Sequence, residues 1–174
     1  GRAPWSETSD VTIRHNVLRD VEAGFSLAGA PEKQTAVAAN SILIEQNVVE
    51  VGAGAHVGTG RLFQFGGVAN LTIRRNTAVT NQQAFVVTTG GLDRLTITGN
   101  AIRSGRYGLT GANLTTLPTL APGATIAGNV IATSQAAAQL PAGNVYPGVL
   151  PLSLDALLPQ AARAGGDVGA DPRL

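Results

Sequence analysis

A six-residue phrase that ends in asparagine occurs five times along the chain. It reads VTIRHN (11–16), ILIEQN (42–47), LTIRRN (71–76), LTITGN (95–100) and ATIAGN (124–129). Successive asparagines are 31, 29, 24 and 29 residues apart. Repeats of this length are typical of solenoids, in which each unit packs against its neighbours in the chain. The repeat therefore constrains the fold more strongly than any other feature of the sequence.

Each phrase has the pattern of a short strand. The residues five and three positions before the asparagine are apolar, and the residue between them is threonine in all units but one. This alternation, rich in β-branched side chains, predicts a half-buried strand. A further apolar residue lies two positions after each asparagine: Leu18, Val49, Ala78, Ile102 and Ile131. We expect the inward-facing pattern to resume there, after a corner that the asparagine occupies.

Asparagine suits such a corner for two reasons. It tolerates the left-handed backbone conformation, and its amide can hydrogen-bond nearby backbone groups. If successive units stack about 4.8 Å apart, the corner amides can also bond one another. The sequence thus predicts a structural ladder made of Asn16, Asn47, Asn76, Asn100 and Asn129.

A third apolar segment follows the corner in four of the five units, at 24–29, 61–67, 83–89 and 107–111. Three short strands per unit, each stacked on the next unit, predict an all-β fold: a right-handed parallel β-helix solenoid of about five coils. The alternative is an antiparallel sandwich with strands at similar spacing. A sandwich does not require the same asparagine at every corner, so the repeat favours the β-helix.

The repeat decays after Thr133, and the remaining segment holds five of the nine prolines. We therefore divide the chain into β-helix coils at 1–133 and an irregular C-terminal cap at 134–174. An open solenoid end exposes strand edges and core residues, so a covering segment is expected. Within the cap, residues 153–158 are predicted to form a helical turn that Ser153 caps and Pro159 stops.

The N-terminal end has no comparable cover, since residues 1–10 are short and polar apart from Trp5. We expect further coils to precede it, supplied by the same protein or by another chain. The chain starts with Gly, contains no Met and shows no signal peptide, so its compartment cannot be deduced from its N-terminus.

Composition excludes several classes of function. The net charge of +1 and the scattered arginines argue against a nucleic-acid-binding protein. The chain contains no cysteine, which excludes disulfides, thiolate metal sites and cysteine nucleophiles. Its apolar runs are too short to span a bilayer. No motif indicates a cofactor or a metal.

The repeat can be compared with a known family. The phrase hydrophobic-Thr-Ile-x-x-Asn-x-hydrophobic, followed by Gly-hydrophobic-x-hydrophobic, resembles the right-handed parallel β-helix repeat of the pectate-lyase-like superfamily. The resemblance covers residues 11 to about 133, and the ending GGDVGADPRL resembles the closing segment of many secreted bacterial β-helix proteins. It implies an extracellular or cell-envelope location and interaction with polysaccharide. The superfamily includes lyases, hydrolases, epimerases and adhesins, so the resemblance specifies the fold and not the activity.

One set of charged residues is a candidate site. Arg14, Glu45 and Arg74 lie two residues before successive asparagines, so they are predicted to stack on one exposed column. His15 and Arg75 lie next to them at the corner. A binding interpretation places Arg74 and Arg75 on the carboxylate of an acidic sugar, with Glu45 or His15 as base. The structural alternative is a salt ladder between coils, in which each pair contributes under about 1 kcal/mol.

A second charged column favours the structural alternative. This column, three residues after each asparagine, at first alternates in sign; it holds Arg19, Glu50, Val79, Arg103 and Ala132. The outward positions of the glycine-containing strand carry no charge; they are Ser26, Gln64, Val86, Thr88 and Thr110. That face therefore holds no catalytic set.

His56, in the Gly-rich loop VGAGAHVGTGR, is a further candidate ligand-binding residue, without an acid or nucleophile near it in sequence.

These observations predict the β-helix portion of a secreted bacterial protein that interacts with polysaccharide. It is lyase- or hydrolase-like but not itself catalytic. The alternative is a purely structural or adhesive solenoid with no small ligand. The two differ in whether the charged column faces a groove walled by the loop at 52–61 or a flat surface.

Overall fold

The computed structural model describes residues 7–29, 37–51, 60–87, 92–105, 108–109 and 121–163. Within them, the strands form three sheets. The first sheet contains β1 (Ser9–Arg14), β4 (Ala39–Glu45), β7 (Val68–Arg74), β10 (Asp93–Thr98) and β12 (Thr125–Ala127). The second contains β2 (Val17–Val21), β5 (Val48–Val51), β8 (Thr77–Val79), β11 (Ala101–Arg103) and β13 (Val130–Ala132). The third contains β3 (Phe25–Ala28), β6 (Phe63–Gly66) and β9 (Phe85–Val87).

All the neighbouring strands named above are parallel. The chain enters the first, second and third sheets in turn and then returns to the first, one strand further along. We call each such pass a unit. The prediction of an all-β fold with stacked parallel strands is confirmed, and the antiparallel sandwich is wrong.

The strand register follows the sequence repeat. In the first sheet, the residue three positions before each asparagine lies opposite its equivalent in the next unit: Ile13, Ile44, Ile73, Ile97 and Ile126. Ile44, Ile73 and Ile97 are 0% exposed. The predicted inward-facing positions therefore form the core, which is continuous from unit to unit.

The third sheet contributes a column of aromatic rings to this core. Phe25 stacks on Phe63 with ring centroids 5.7 Å apart, and Phe63 stacks on Phe85 at 5.2 Å. Leu109 continues the column through a parallel bridge to Phe85. Strands are thus confirmed within three of the predicted third segments, at Phe25–Ala28, Phe63–Gly66 and Phe85–Val87. Residues 88–89, and all of the segment 107–111 except residues 108–109, lie outside the described residues. Val86 lies in register with Gln64, at one of the positions predicted to face outward, and it is nevertheless only 4% exposed.

The corner differs from the prediction in one respect. The residue with the left-handed backbone is the one before the asparagine, as at His15, Gln46 and Arg75, whose φ angles are 57°, 53° and 54°. Glycine takes this position in later units, with φ of 63° at Gly99 and 66° at Gly128. The residue before each asparagine therefore makes the left-handed turn of the corner. The backbone of the asparagine itself is not left-handed.

The asparagine side chains form the predicted ladder. Nδ2 of each asparagine donates to Oδ1 of the next, at distances of 2.9, 3.0, 3.0 and 2.9 Å from Asn16 to Asn129. The ladder then continues to Asn144, where Asn129 Nδ2 donates to Oδ1 at 2.8 Å. This additional member lies within the segment assigned to the cap. The division of the chain at residue 133 stays a prediction, and the ladder crosses it by one position.

The C-terminal segment covers the core at two places. Helix α1 (Leu154–Arg163) packs Leu154 and Leu157 against the outer face of the second sheet. Leu140 and Tyr146 pack, half-buried, against the main core. A short 3-10 helix lies between β13 and this region, at Ala137–Gln139. Within the described residues, no helix has the length and apolar character needed to cross a bilayer.

The start of α1 is as predicted, and its end is not. The backbone N–H of Asp155 donates to Ser153 Oγ at 3.1 Å, so Ser153 caps the helix. The helix then runs through Pro159 to Arg163 instead of stopping. A proline removes one intrahelical hydrogen bond. In the turn before Pro159, Leu157 is buried, and this packing stabilises the helix there.

Candidate functional site

The strand register brings the predicted charged residues together. Arg14 lies opposite Glu45, and Glu45 lies opposite Arg74. The same column continues through Thr98 to Ala127, which carry no charge. Neighbouring strands are about 4.8 Å apart, so the backbones at Arg14 and Arg74 are about 10 Å apart. The charged column thus occupies only the first three units.

Glu45 and Arg74 form an ion pair in this column. Arg74 Nε and Nη2 both approach Glu45 Oε2, at 2.9 and 2.8 Å. The Glu45 side chain is only 9% exposed, whereas the Arg74 side chain is 45% exposed. Because the Glu45 carboxylate is nearly buried, we expect removal of Arg74 to cost more than the 0 to about 1 kcal/mol typical of exposed pairs, since it would leave that charge without a partner.

Arg14 does not complete the predicted plus-minus-plus ladder. It is exposed, and among the described residues no ion pair joins it to Glu45. His15 is also exposed, and its left-handed backbone places it on the corner beside Arg14. Of the two arginines in register with it, Glu45 therefore pairs with Arg74 and not with Arg14. The guanidinium of Arg14 is accessible to an external anion.

Arg75 occupies the same corner position as His15, two units further along the stack. It is exposed, and its side chain extends towards the following unit, where a Cβ placed on Gly99 would be 3.7 Å from Arg75 Cγ. The predicted set therefore comes together as Arg14, His15, Glu45, Arg74 and Arg75, which we call the cationic patch. His56 and most of the predicted wall, the loop at 52–61, lie outside the described residues, which resume at residue 60.

The composition of the patch limits its chemistry. It holds three guanidinium groups and one carboxylate, so it carries a net positive charge and suits an anionic ligand. Glycoside hydrolysis needs two carboxyl groups at a defined separation. Among the described residues two and four positions before the ladder asparagines, Glu45 is the one carboxylate. Across the described residues, no group of three or more His, Cys, Asp or Glu side chains could hold a metal ion.

Arg103 belongs to the second predicted charged column, but no charged residue lies opposite it in register. Arg103 lies opposite Val79 and Ala132, and it donates to two carbonyls, of Thr80 at 2.7 Å and of Leu150 at 3.1 Å. Burial lowers the pKa of the Arg103 guanidinium from its ordinary value. Arg103 therefore attaches the C-terminal segment to the sheets. Between β2 and β5 the register shifts after Leu18, which interrupts the column near Arg19.

A row of hydroxyl side chains was not predicted from the sequence. Thr80, Ser104 and Thr133 each lie four residues after a ladder asparagine and are buried. Thr133 Oγ1 donates to the carbonyl of Gly105 at 2.7 Å, and Thr80 Oγ1 donates to that of Gly60 at 2.5 Å. The signal was available, because three consecutive units carry Ser or Thr at this position. These hydroxyls stabilise the turn between the second and third sheets.

Comparison of the chain with protein-family models, with curated proteins and with solved structures found no match. Functional proposals therefore rest on the geometry of the described residues and on the sequence resemblance.

Proposed function

We propose that the chain is part of a right-handed parallel β-helix of the pectate-lyase-like type. The ordered passage through three parallel sheets supports this fold, and so does the unit-by-unit register. A right-handed path is the expected one, because connections between parallel strands of one sheet are right-handed in nearly all proteins. The sequence resemblance is the basis for assigning the type.

We further propose that the cationic patch binds an acidic polysaccharide without cleaving it. The observation that carries this proposal is the accessible guanidinium of Arg14, which lies in register with the Glu45–Arg74 pair but is not joined to Glu45. A guanidinium binds a carboxylate through two parallel hydrogen bonds. Arg74 is 45% exposed and adds a second cation about 10 Å away along the sheet.

The surface next to the patch suits a sugar chain. Thr12 and Thr72 lie four residues before their asparagines, on the same outer face of the first sheet as Arg14 and Arg74. Their hydroxyls can both donate to and accept from sugar hydroxyls. Carboxylate binding by arginine and hydroxyl contacts by threonine together favour a polyuronate over a neutral polymer.

Affinity gel electrophoresis with a polyuronate and with a neutral polysaccharide tests this proposal. We expect retardation by the polyuronate only, reduced at high salt because exposed charges are screened. Arg14→Ala should weaken binding about tenfold, as loss of one charged contact does. Arg94→Ala is the matched control, since Arg94 is exposed but paired with Asp93 at 3.2 Å.

Three results would contradict the proposal. Equal weakening by both variants would show that the patch is not the site, and absence of retardation would show that there is no site. Release of sugar fragments would contradict the non-catalytic part, and Glu45 and His15 would then be examined as bases. Location outside the cell or in the cell envelope of a bacterium belongs to the same proposal.

A structural or adhesive role is the second candidate. It is favoured by the Glu45–Arg74 pair, which holds two neighbouring units in register and needs no ligand. This candidate predicts no retardation by any polysaccharide, and a loss of stability when the Glu45–Arg74 pair is removed.

A further inference from the structure

The second sheet has apolar residues on both of its faces. Val49, Ala78 and Ile102 face inward and belong to the main core. The outward face contributes to a second apolar cluster, separate from the core, through Val48, Val79, Ala101, Val130 and Ala132. The other members of this outer cluster come from residues 150–163, which we call the strap; they are Leu150, Leu152, Leu154 and Leu157. The strap therefore packs on the outside of the stacked sheets.

An exposed connection joins the strap to the rest of the structure. Tyr146 still packs against the main core, whereas Leu150 already belongs to the outer cluster. Between them, Gly148 has a φ of 85°, and a Cβ placed on it would meet no atom within 4 Å. Val149 is 66% exposed. Among the described residues, Arg103 supplies the hydrogen bond between the strap and the sheets, from Nε to the carbonyl of Leu150 at 3.1 Å.

Helix α1, which forms most of the strap, has little stability of its own. It contains 10 residues, and isolated helices shorter than about 12–15 residues are marginal in water. Pro159 also removes one of its internal hydrogen bonds. The helix therefore depends on the packing of Leu154 and Leu157 against the sheet, and we expect it to unfold when that packing is lost.

Thr77 introduces an unfavourable group into this packing. It lies in β8, which α1 contacts, and in register between Val48 and Ala101 of the outer cluster. Its side chain is fully buried, and its Oγ1 has no hydrogen-bond partner among the described residues. A buried hydroxyl without a partner is costly, and it would regain hydrogen bonds to water if the strap left the sheet. Thr77 therefore opposes closure of the strap.

We propose that the strap is a detachable cover, which opens as a unit at Gly148 and exposes the outer cluster while the three sheets stay folded. Segments held by few apolar contacts open with a free energy below that of global unfolding. Thr77 sets the balance between the two states, because its hydroxyl is hydrated when the strap is open and has no partner when it is closed. The device thus switches an apolar surface between a covered and an exposed state.

Thiol labelling tests the opening, because the chain contains no cysteine and one introduced thiol is a specific reporter. Thr77→Cys places a thiol under the strap, and Val49→Cys, on the buried inward face of the same sheet, is the matched control. The rate of reaction with iodoacetamide is divided by the rate for the same variant unfolded in urea. We expect the thiol of Thr77→Cys to react at least about tenfold faster, since it requires the strap to open and not global unfolding.

A second substitution separates the two kinds of opening. Ile73 is fully buried in the main core, so Ile73→Val should lower global stability. It should speed labelling of the Val49→Cys variant about fivefold and leave labelling of the Thr77→Cys variant unchanged. Equal labelling of the two thiols, or equal acceleration of both by Ile73→Val, would show that the strap opens only when the whole chain unfolds. Either result would overturn the proposal.

Hydrogen exchange of the α1 amides tests the role of the Thr77 hydroxyl. Thr77→Val should slow this exchange about tenfold, because it removes the group without a partner from the closed state. Thr96→Val makes the same chemical change in the first sheet, in register with Thr72, and should leave exchange in α1 unchanged. If Thr77→Val does not slow exchange in α1, or if Thr96→Val slows it equally, Thr77 does not control the strap and that part of the proposal is wrong.

Discussion

Asn47 donates both its backbone N–H and its Nδ2 to Oδ1 of Asn76, each at 3.0 Å. Asn76 is 0% exposed, and its own Nδ2 also reaches the carbonyls of Ile44 and Arg74. One side chain therefore satisfies backbone groups from two units and the amide of a third. Since a buried polar group without a partner is costly, the ladder both permits and specifies the stacking of the units.

We expect Asn76→Ala to lower the free energy of unfolding by about 3–5 kcal/mol, because it leaves several buried donors and acceptors without partners. Asn16→Ala should cost about 1 kcal/mol or less, since Asn16 is exposed and ends the ladder. Urea unfolding of both variants measures the difference. Equal losses would show that the buried hydrogen bonds do not determine the stability of the stack.

The repeat allowed the strands, their register and the ladder to be predicted, because one residue type recurs at one position. The left-handed corner was misplaced because the residue before the asparagine has no constant type: His15, Gln46, Arg75, Gly99 and Gly128. Asn144 was missed because it follows Asn129 after only 15 residues, among prolines, where no full unit fits.

The candidate site was predicted in part. The register placed Arg14, Glu45 and Arg74 in one column, as the spacing of the asparagines required. The choice of ion pair could not be predicted, because it depends on side-chain rotamers and on the burial of Glu45. Spacing alone therefore identifies the residues of a column but not which of them pair.

A double-mutant cycle on Glu45 and Arg74 measures the value of their ion pair. Arg74→Ala should lower the free energy of unfolding by about 1–3 kcal/mol, because it leaves the largely buried Glu45 carboxylate without its cation. Glu45→Gln in the Arg74→Ala background should restore part of that loss. If the two changes are additive, the side chains do not interact and the pair has no role in holding the units.

His15 offers a test of the corner geometry. Its left-handed backbone, with φ of 57°, is unfavourable for an L-residue with a Cβ. We expect His15→Gly to raise the free energy of unfolding by up to about 1 kcal/mol, while His15→Ala should not. Thermal unfolding of both variants distinguishes them. If alanine stabilises as much as glycine, the imidazole and not the backbone is the unfavourable element.

The reverse change at Gly99 is the matched comparison. Gly99 has φ of 63°, and a Cβ there would meet only Arg75 Cγ at an ordinary 3.7 Å. Gly99→Ala should therefore destabilise the protein by about 1 kcal/mol through its backbone and not through a steric clash. A much larger loss would indicate a packing conflict instead.

Tyr146 should make stability depend on pH at the alkaline end. Its hydroxyl donates to the carbonyl of Pro141 at 2.7 Å. Burial raises its pKa above the ordinary value of 10.0, although a hydrogen bond with the Asn144 side chain acts in the opposite direction. Because the folded protein holds this proton more tightly than the unfolded chain, the stabilisation is complete below pH 10 and is lost as pH rises through the higher pKa of the folded state.

Urea unfolding of the native chain and of Tyr146→Phe, at intervals from about pH 8 to about pH 11, tests this. At the lower end we expect Tyr146→Phe to be less stable by about 1 kcal/mol, the usual value of one hydrogen bond. The difference should shrink as pH rises, because the phenolate of the native chain can no longer donate to Pro141. A constant difference across the range would show that Tyr146 titrates equally in the folded and unfolded states.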